Sequence, residues 1–401
     1  WGMTPLLYPV ASTVRQLRKE APMNRRTLLK GAAATTTLGV LGMRRPQKSA
    51  AARRFRLIQQ ELPVYEIVSF YVSDEFVWSN DQNWRGLPRA IANDGTIVGE
   101  TVSNGLMVPT AWDGNLVPRH LDLGSYAGLN ANVYDVVSSE NMLGAVMPIG
   151  DFYTEEAAQG VDLAPPILYW QDGQLQEAMS GPLGENSGKN ALLADGTVIG
   201  QLDGMPAVWT NGSAEVFDVP EGFVAGAFRA ANSLGDIAGS YYRGIDPVLI
   251  GPVPFVRSAS GEETVYDPPI VSGADAPGRL WVSHLADDGS FAAFGREETD
   301  VFGYGVRYAN GAQTIIPDLN GEGLQFRDSN ALGVIVGQSP LNGIPIPTMW
   351  VDDQPIMIAD LIVPGPDLLF TEVFGINDDG VLVGEAQDSA GMFHHVVLRP
   401  V

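Results

Sequence analysis

The segment RAIANDGTIVG at residues 89–99 decides the fold, because variants of it recur along most of the chain. Its clearest further copies are ALLADGTVIG at 191–200 and FGINDDGVLVG at 374–384. Each copy consists of an apolar run, a turn containing Asp or Asn before Gly, and a second apolar run. This pattern predicts a β-hairpin whose turn glycine adopts a positive φ.

Seven copies of the hairpin can be aligned on the turn glycine. Their turn positions are Gly95, Glu140, Gly196, Gly235, Gly289, Gly333 and Gly380, with Glu140 replacing glycine in a weaker copy. Neighbouring turns are 39 to 56 residues apart. An all-β repeat of this length is typical of propeller blades with four short strands. The sequence therefore predicts a seven-bladed β-propeller, and the irregular spacing leaves six or eight blades open.

The second half of each repeat predicts another hairpin, which carries an aromatic residue at a fixed position. These aromatic residues are Trp112, Trp170, Trp209, Tyr308 and Trp350. The copy around Phe255 has neither Trp nor Tyr at this position. A large ring at one fixed blade position is expected to pack between neighbouring blades. Stacking on a sugar is the alternative role.

The chain ends predict how the ring closes. The last repeat offers only three strands, near 372–377, 381–386 and 392–399. The run YEIVSFYV at 65–72 precedes the first repeat and is rich in strand-forming residues. We expect it to be the fourth strand of the last blade, since a closed ring leaves no open sheet edge.

Residues 1–52 are expected to be a leader, and 53–401 a single propeller domain. The motif NRRTLLK at 24–30 precedes the mildly apolar run GAAATTTLGVLG at 31–42. Together they resemble a twin-arginine export signal, with Met23 as the expected start of translation. The apolar run is too short for a membrane span, which needs about 20 apolar residues. The sequence thus predicts export to the periplasm, the cell surface or the medium.

The charge of the expected domain is strongly acidic. Residues 53–401 hold 15 basic and 46 acidic residues, a formal net charge of −31. This surface argues against nucleic-acid binding, which needs a basic patch, and against docking to anionic lipid. The chain also has no cysteine, so neither disulfides nor a thiol nucleophile are available. We expect a soluble monomer with a protein or glycan partner of unknown identity.

The chain resembles the HAF-repeat proteins, exported bacterial and archaeal chains with a related hairpin motif. The matching segments are IANDGTIVG at 91–99, INDDGVLVG at 376–384 and LDLGSYAG at 121–128. The His-Ala-Phe element has only a loose counterpart, FHHVV at 393–397. The resemblance implies an extracytoplasmic propeller and supplies no catalytic residues.

The first candidate site is the position six residues before the turn glycine, called here the inner slot. Its members are Arg89, Tyr134, Asn190, Arg229, Ser283, Arg327 and Phe374. If the first strand of each blade lines the central channel, the three arginines converge and can bind a carboxylate or sulfate. The alternative is that each arginine pairs with an acid of a neighbouring blade, such as Asp328.

The second candidate surface comprises the long connections between the second and third strands, at 150–165, 240–252 and 296–300. The middle one contains Tyr241, Tyr242 and Arg243. Aromatic and charged residues on such loops can bind a glycan or, as a carboxylate pair, hydrolyse one.

No motif predicts a cofactor. The acidic turns ADDG at 286–289 and NDDG at 377–380 lack the alternating oxygen ligands of a calcium loop, so we interpret them as hairpin turns. Structural calcium remains the one open alternative. The sequence therefore favours an exported, non-catalytic propeller that acts as a ligand-binding or protein-interaction scaffold. A carbohydrate-active hydrolase or lyase, with its site at the mouth of the central channel, is the alternative function.

Overall fold

The computed structural model describes residues 62–73, 77–79, 82–146, 167–179, 191–193, 195–210, 213–245, 248–267, 280–295, 302–365 and 367–401. The leader, the connections at 150–165 and 296–300, and Asn190 of the inner slot lie outside the described residues. All strands described below belong to one compact unit, Arg53–Val401.

The prediction of a seven-bladed β-propeller is confirmed. Seven four-stranded antiparallel sheets form a ring, and strands are numbered in chain order. Before the first blade come β1 (Tyr65–Ser73), β2 (Val77–Ser79) and β3 (Gln82–Trp84). Blade 1 contains β4 (Pro88–Ile91), β5 (Ile97–Ser103), β6 (Leu106–Trp112) and β7 (Pro118–His120). Blade 2 contains β8 (Ala131–Ser138), β9 (Asn141–Val146), β10 (Ile167–Gln171) and β11 (Gln174–Met179).

The next three blades follow the same order. Blade 3 contains β12 (Ala191–Leu192), β13 (Val198–Leu202), β14 (Met205–Thr210) and β15 (Ser213–Val216). Blade 4 contains β16 (Ala225–Ala231), β17 (Ile237–Ile245), β18 (Val248–Arg257) and β19 (Glu263–Val265). Blade 5 contains β20 (Leu280–Leu285), β21 (Phe291–Gly295), β22 (Tyr304–Ala309) and β23 (Ala312–Ile316).

The last two blades differ in how their fourth strand is supplied. Blade 6 contains β24 (Gln325–Ser329), β25 (Ile335–Leu341), β26 (Ile344–Val351) and β27 (Gln354–Met357). Blade 7 contains β28 (Leu368–Ile376), β29 (Leu382–Asp388) and β30 (Phe393–Pro400), with β1 at its outer edge. Strand β1 pairs antiparallel with β30, from Tyr65 opposite Pro400 to Ser73 opposite Phe393. Two short 3₁₀ helices, Gly124–Tyr126 and Ile358–Asp360, lie in connections.

The turn glycines adopt the conformation that the repeat predicts. All six have a positive φ, between 77° and 84°. Glu140 is not among the residues with a positive φ, and its turn is shorter, with Ser138 paired directly with Asn141. In blade 1, by contrast, the last ladder pair is Ile91 and Ile97, so the turn is longer.

The second glycine of the repeat is required by close packing. A Cβ atom on Gly99 would lie 2.2 Å from the carbonyl oxygen of Leu87, and one on Gly337 would lie 2.0 Å from that of Gln325. The obstacle is the backbone of the first strand of the same blade at Gln325, and of the residue immediately before that strand at Leu87. Any larger residue at this position must therefore push two paired strands apart.

The aromatic residues of the second hairpin pack between blades, as predicted. Trp170 of blade 2 is fully buried against Val98 and Ala111 of blade 1. Trp350 of blade 6 is buried in the same way against Ala292 of blade 5. Burial of these rings removes a large apolar area from water at each boundary.

The boundary between blades 7 and 1 is called the seam, and it joins distant parts of the chain. Its apolar part packs Ile97 and Trp112 of blade 1 against Val383 of blade 7. At the turns, the Asn93 side-chain amide donates to the Asp378 carboxylate at 2.8 Å, and the Asp378 backbone N–H donates back at 2.9 Å. The acidic turn of blade 7 thus holds the two blades together.

Candidate functional site

A β-bulge occurs at the inner slot of every blade in which the structure describes that residue. The ladder between the first and second strands shifts register at this position in six blades. The bulged residues are Arg89, Tyr134, Arg229, Ser283, Arg327 and Phe374. A bulged residue has no partner opposite it, and the local twist redirects its side chain.

The six bulged residues line one cavity of about 370 Å³ on the central axis of the ring. First strands of all seven blades contribute to this wall. Residues of the turns after the first strands, Asn93, Ala331 and Asp378, complete it. The channel cavity therefore lies at the end of the channel that these turns surround. The second strands end at the opposite ends of the blades, because the second strand runs antiparallel to the first.

Two of the three channel arginines are held by buried or half-buried glutamates. The Arg89 Nε lies 3.1 Å from both carboxylate oxygens of Glu100, which is fully buried in the same blade. The Arg327 Nη2 donates to Glu372 of the next blade at 2.7 Å. Pairing with an acid of a neighbouring blade thus applies to Arg327, whereas Arg89 pairs with an acid of its own blade.

Arg229 is held differently. Its Nη2 donates to the Tyr242 hydroxyl at 3.1 Å, and its Nε is buried with no hydrogen-bond partner. Among the described carboxylates, none forms a salt bridge with this guanidinium. Blade 4 is three blades away from both blade 7 and blade 1, so Arg229 faces the seam across the channel.

The carboxylates of the cavity wall bind the backbone of neighbouring blades. Asp135 accepts from the Leu192 N–H of blade 3 at 2.8 Å, and Asp328 accepts from the Ile376 N–H of blade 7 at 2.9 Å. Asp378 likewise accepts from the Ala331 N–H of blade 6. These acids therefore connect blades, and peptide dipoles already solvate part of their charge.

The three residues proposed on the 240–252 connection separate in the structure. Tyr241 is buried in blade 4, where its ring stacks on Phe255 at 3.9 Å and its hydroxyl donates to Glu263 at 2.7 Å. Burial raises the pKa of the Tyr241 hydroxyl. Arg243 is exposed, with its guanidinium 5.2 Å from the ring of Phe223. Only Tyr242 reaches the candidate site, through its contact with Arg229.

The seam contains a buried ionisable cluster that the sequence reasoning missed. Arg85 donates two hydrogen bonds to Glu385, at 2.9 and 2.6 Å. Beside them, the His395 Nε2 lies 2.9 Å from the carbonyl oxygen of Gly86. Burial raises the pKa of Glu385 and lowers that of His395 to about 4. The sequence contains one signal for this cluster: Glu100 and Glu385 both lie five residues after the turn glycines of their repeats.

The described residues contain no group of three or more His, Cys, Asp or Glu side chains placed to hold a metal ion. Within the same residues, no helix has the length and apolarity needed to cross a bilayer.

Comparison with known proteins identifies relatives in fold only. No family model matches the chain, and no curated protein does. The β-propeller domain of the Trilobed protease from Pyrococcus furiosus is similar with a TM-score of 0.50 and 10% identity, over 82% of this chain and 94% of that one. A catalytically inactive virginiamycin B lyase from Staphylococcus aureus is similar with a TM-score of 0.48 and 11% identity, over 84% and 100%.

An oligogalacturonate lyase from Vibrio parahaemolyticus has a TM-score of 0.43 and 12% identity, over 84% of this chain and 97% of the lyase. At 10% identity, the likeness to the Pyrococcus furiosus domain supports the propeller fold alone. Function must therefore be argued from the channel cavity.

Proposed function

We propose that this protein is an exported, non-catalytic propeller that binds a small ligand in the channel cavity. The observation that supports this most is the repeated bulge, which directs six inner-slot residues into one concave space. Each bulge interrupts the hydrogen-bond ladder between two strands of a blade. A channel with only a structural role would have no evident benefit from six such interruptions. A cavity of about 370 Å³ lies at the lower end of the range for small-molecule sites.

The state of the wall carboxylates favours binding over catalysis. A glycosidase needs two carboxyl groups on opposite sides of the bond that is cleaved. Asp135 and Asp328 instead accept hydrogen bonds from backbone N–H groups of the next blade. Moving either of them to donate a proton would break a connection between blades. A carbohydrate-active hydrolase or lyase is the alternative function, which turnover of neutral or acidic polysaccharides by the full chain would establish.

A blocked cavity tests the proposal. Ser283 points into the channel from an exposed position of β20, so Ser283→Trp fills the cavity without replacing a core residue. Ser213→Trp, on the exposed outer strand β15, is the matched control. In a thermal-shift screen of neutral and acidic saccharides, we expect ligands that stabilise the wild type and Ser213→Trp but not Ser283→Trp. Equal stabilisation of all three proteins would refute a channel ligand.

Export and membership of the HAF-repeat proteins belong to the same proposal, and both are supported by sequence motifs. Replacing Arg25 and Arg26 with Lys is expected to retain the protein in the cytoplasm of an expressing bacterium. Cell fractionation measures this, with Arg15→Lys as the control. Export of the double variant at the wild-type level would contradict the assignment of a twin-arginine signal.

A further inference from the structure

We infer that the ligand of the channel cavity is a small oxyanion, with a carboxylate or sulfate group that binds Arg229. This inference rests on the proposed function, since it names the chemical class of the ligand in the same cavity. It assigns different roles to three arginines that are equivalent in the repeat.

The three guanidinium groups differ in the balance of charge around them. Arg89 and Arg327 already form ion pairs with Glu100 and Glu372. Arg229 has the Tyr242 hydroxyl as its described partner, and a hydroxyl carries no compensating charge. An anion in the cavity would supply the compensating negative charge for Arg229. Arg89 and Arg327 already have compensating charges from Glu100 and Glu372.

The hydrogen bonding of Arg229 differs from that of Arg327 in the partner and not in the Nε atom. Both Nε atoms are buried without a hydrogen-bond partner, whereas Arg327 donates to the Glu372 carboxylate and Arg229 to the Tyr242 hydroxyl. A buried donor without an acceptor is unfavourable, and guanidinium binds carboxylate or sulfate oxygens through adjacent N–H groups. An oxyanion in the cavity would balance the charge of the half-buried Arg229, whereas a neutral sugar would leave that charge unbalanced.

The rest of the cavity wall contains apolar, hydroxyl and carboxylate groups. Phe374 contributes an apolar surface, and Ser283 contributes a hydroxyl. Burial raises the pKa of Tyr134, so its hydroxyl stays protonated and does not repel an anion. The wall thus combines Arg229, which has no partner among the described carboxylates, with two ion-paired arginines, neutral groups, and the carboxylates of Asp135, Asp328 and Asp378, which accept hydrogen bonds from backbone N–H groups.

The net charge of the domain, −31 for residues 53–401, limits how the anion is recognised. Its long-range field repels anions, and salt screens that repulsion beyond about 8 Å. Selectivity must therefore come from contacts inside the cavity, and principally from Arg229.

The test compares an anion with its neutral analogue on the full chain. D-glucuronate and sulfate are the anionic probes, and D-glucose is the neutral analogue of glucuronate. Arg229→Gln removes the charge, Arg229→Lys retains it, and Arg243→Gln removes an exposed charge from the same blade outside the cavity. Isothermal titration calorimetry measures affinity, and urea unfolding without ligand shows that each variant folds.

We expect glucuronate or sulfate to bind the wild type and Arg243→Gln with equal affinity. Arg229→Gln should lose about tenfold or more, as for removal of a charge-assisted hydrogen bond, and Arg229→Lys should lose less. Preference for sulfate over glucuronate would identify the anion as a sulfate group, and the reverse preference as a carboxylate.

The inference fails if Arg229→Gln leaves anion binding unchanged, or if neither anion binds the wild type at tens of millimolar. If glucose binds as well as glucuronate and Ser283→Trp abolishes both, the inference fails while the proposed channel ligand stands. If Ser283→Trp changes no interaction in the screen, the proposed function fails as well.

Discussion

Replacing His395 with Gln should remove a pH-dependent part of the stability of this protein. His395 is fully buried at the seam. Its Nε2 must carry the hydrogen, because the carbonyl oxygen of Gly86 can only accept. Arg85 and Arg89 face the ring and, after burial itself, further disfavour its protonation.

The magnitude follows from the shift in pKa. The pKa of His395 falls from 6.5 in the unfolded chain to about 4 in the folded protein. As the pH drops, the unfolded chain therefore binds the proton first. The lowered pKa of His395 therefore contributes its full amount to the free energy of unfolding above pH 6.5, and this contribution is lost between pH 6.5 and 4. At ~1.36 kcal/mol per pH unit, the loss amounts to about 3 kcal/mol.

Urea unfolding between pH 8 and 4 measures this loss. In His395→Gln the side-chain amide can still donate to Gly86, but it does not titrate. Glu100 and Glu385 change the stability in the opposite direction as the pH falls. Burial raises their pKa, so folding favours their protonated form. Their contribution largely cancels in the difference between wild type and variant. His120→Gln, on the exposed strand β7, controls for the loss of a histidine as such.

We expect the wild type to lose about 3 kcal/mol more than His395→Gln over this range. Parallel curves for the two proteins would refute the reasoning. So would a wild type that gains stability relative to the variant as the pH falls.

Two further predictions concern the strands themselves. Gly99→Ala should destabilise the protein by about 1–3 kcal/mol, because the new Cβ atom would clash with the Leu87 carbonyl oxygen. Gly114→Ala is the control and should be nearly neutral, because the nearest atom to its Cβ would be 3.9 Å away. Urea unfolding measures both variants, and equal losses of stability would contradict the packing argument. Deletion of residues 1–73 removes β1 and should lower the melting temperature, and a peptide of residues 62–73 should restore it in proportion to its concentration if β1 closes the ring. An unchanged melting temperature after deletion would contradict that role.

The parts of the fold that repeat could be predicted, because each copy supports the others. Alignment on the turn glycine placed Arg89, Tyr134, Arg229 and Arg327 at one position, and the structure brings all four to one cavity. The bulge that directs them there could not be foreseen. Strand periodicity describes regular pleating, and a bulge is a local departure from it.

The non-repeating parts were harder to predict. Tyr241 was expected on a loop, but β17 continues to Ile245, and Tyr241 pairs there with Val253 inside the sheet. The acid that binds Arg327 lies 45 residues away in the chain. Such a partner depends on how neighbouring blades meet in three dimensions, which no local pattern encodes.

The seam has a consequence for how the protein folds. Arg85 and Glu385 are 300 residues apart, whereas Asp328 and Ile376 connect adjacent blades across only 48. Bringing distant segments together costs more chain entropy and is slower than forming local contacts. Blades can therefore form and join in sequence, while the seam can assemble only when the ring is complete. Trp112, buried at that boundary, is positioned to report the final step by its fluorescence.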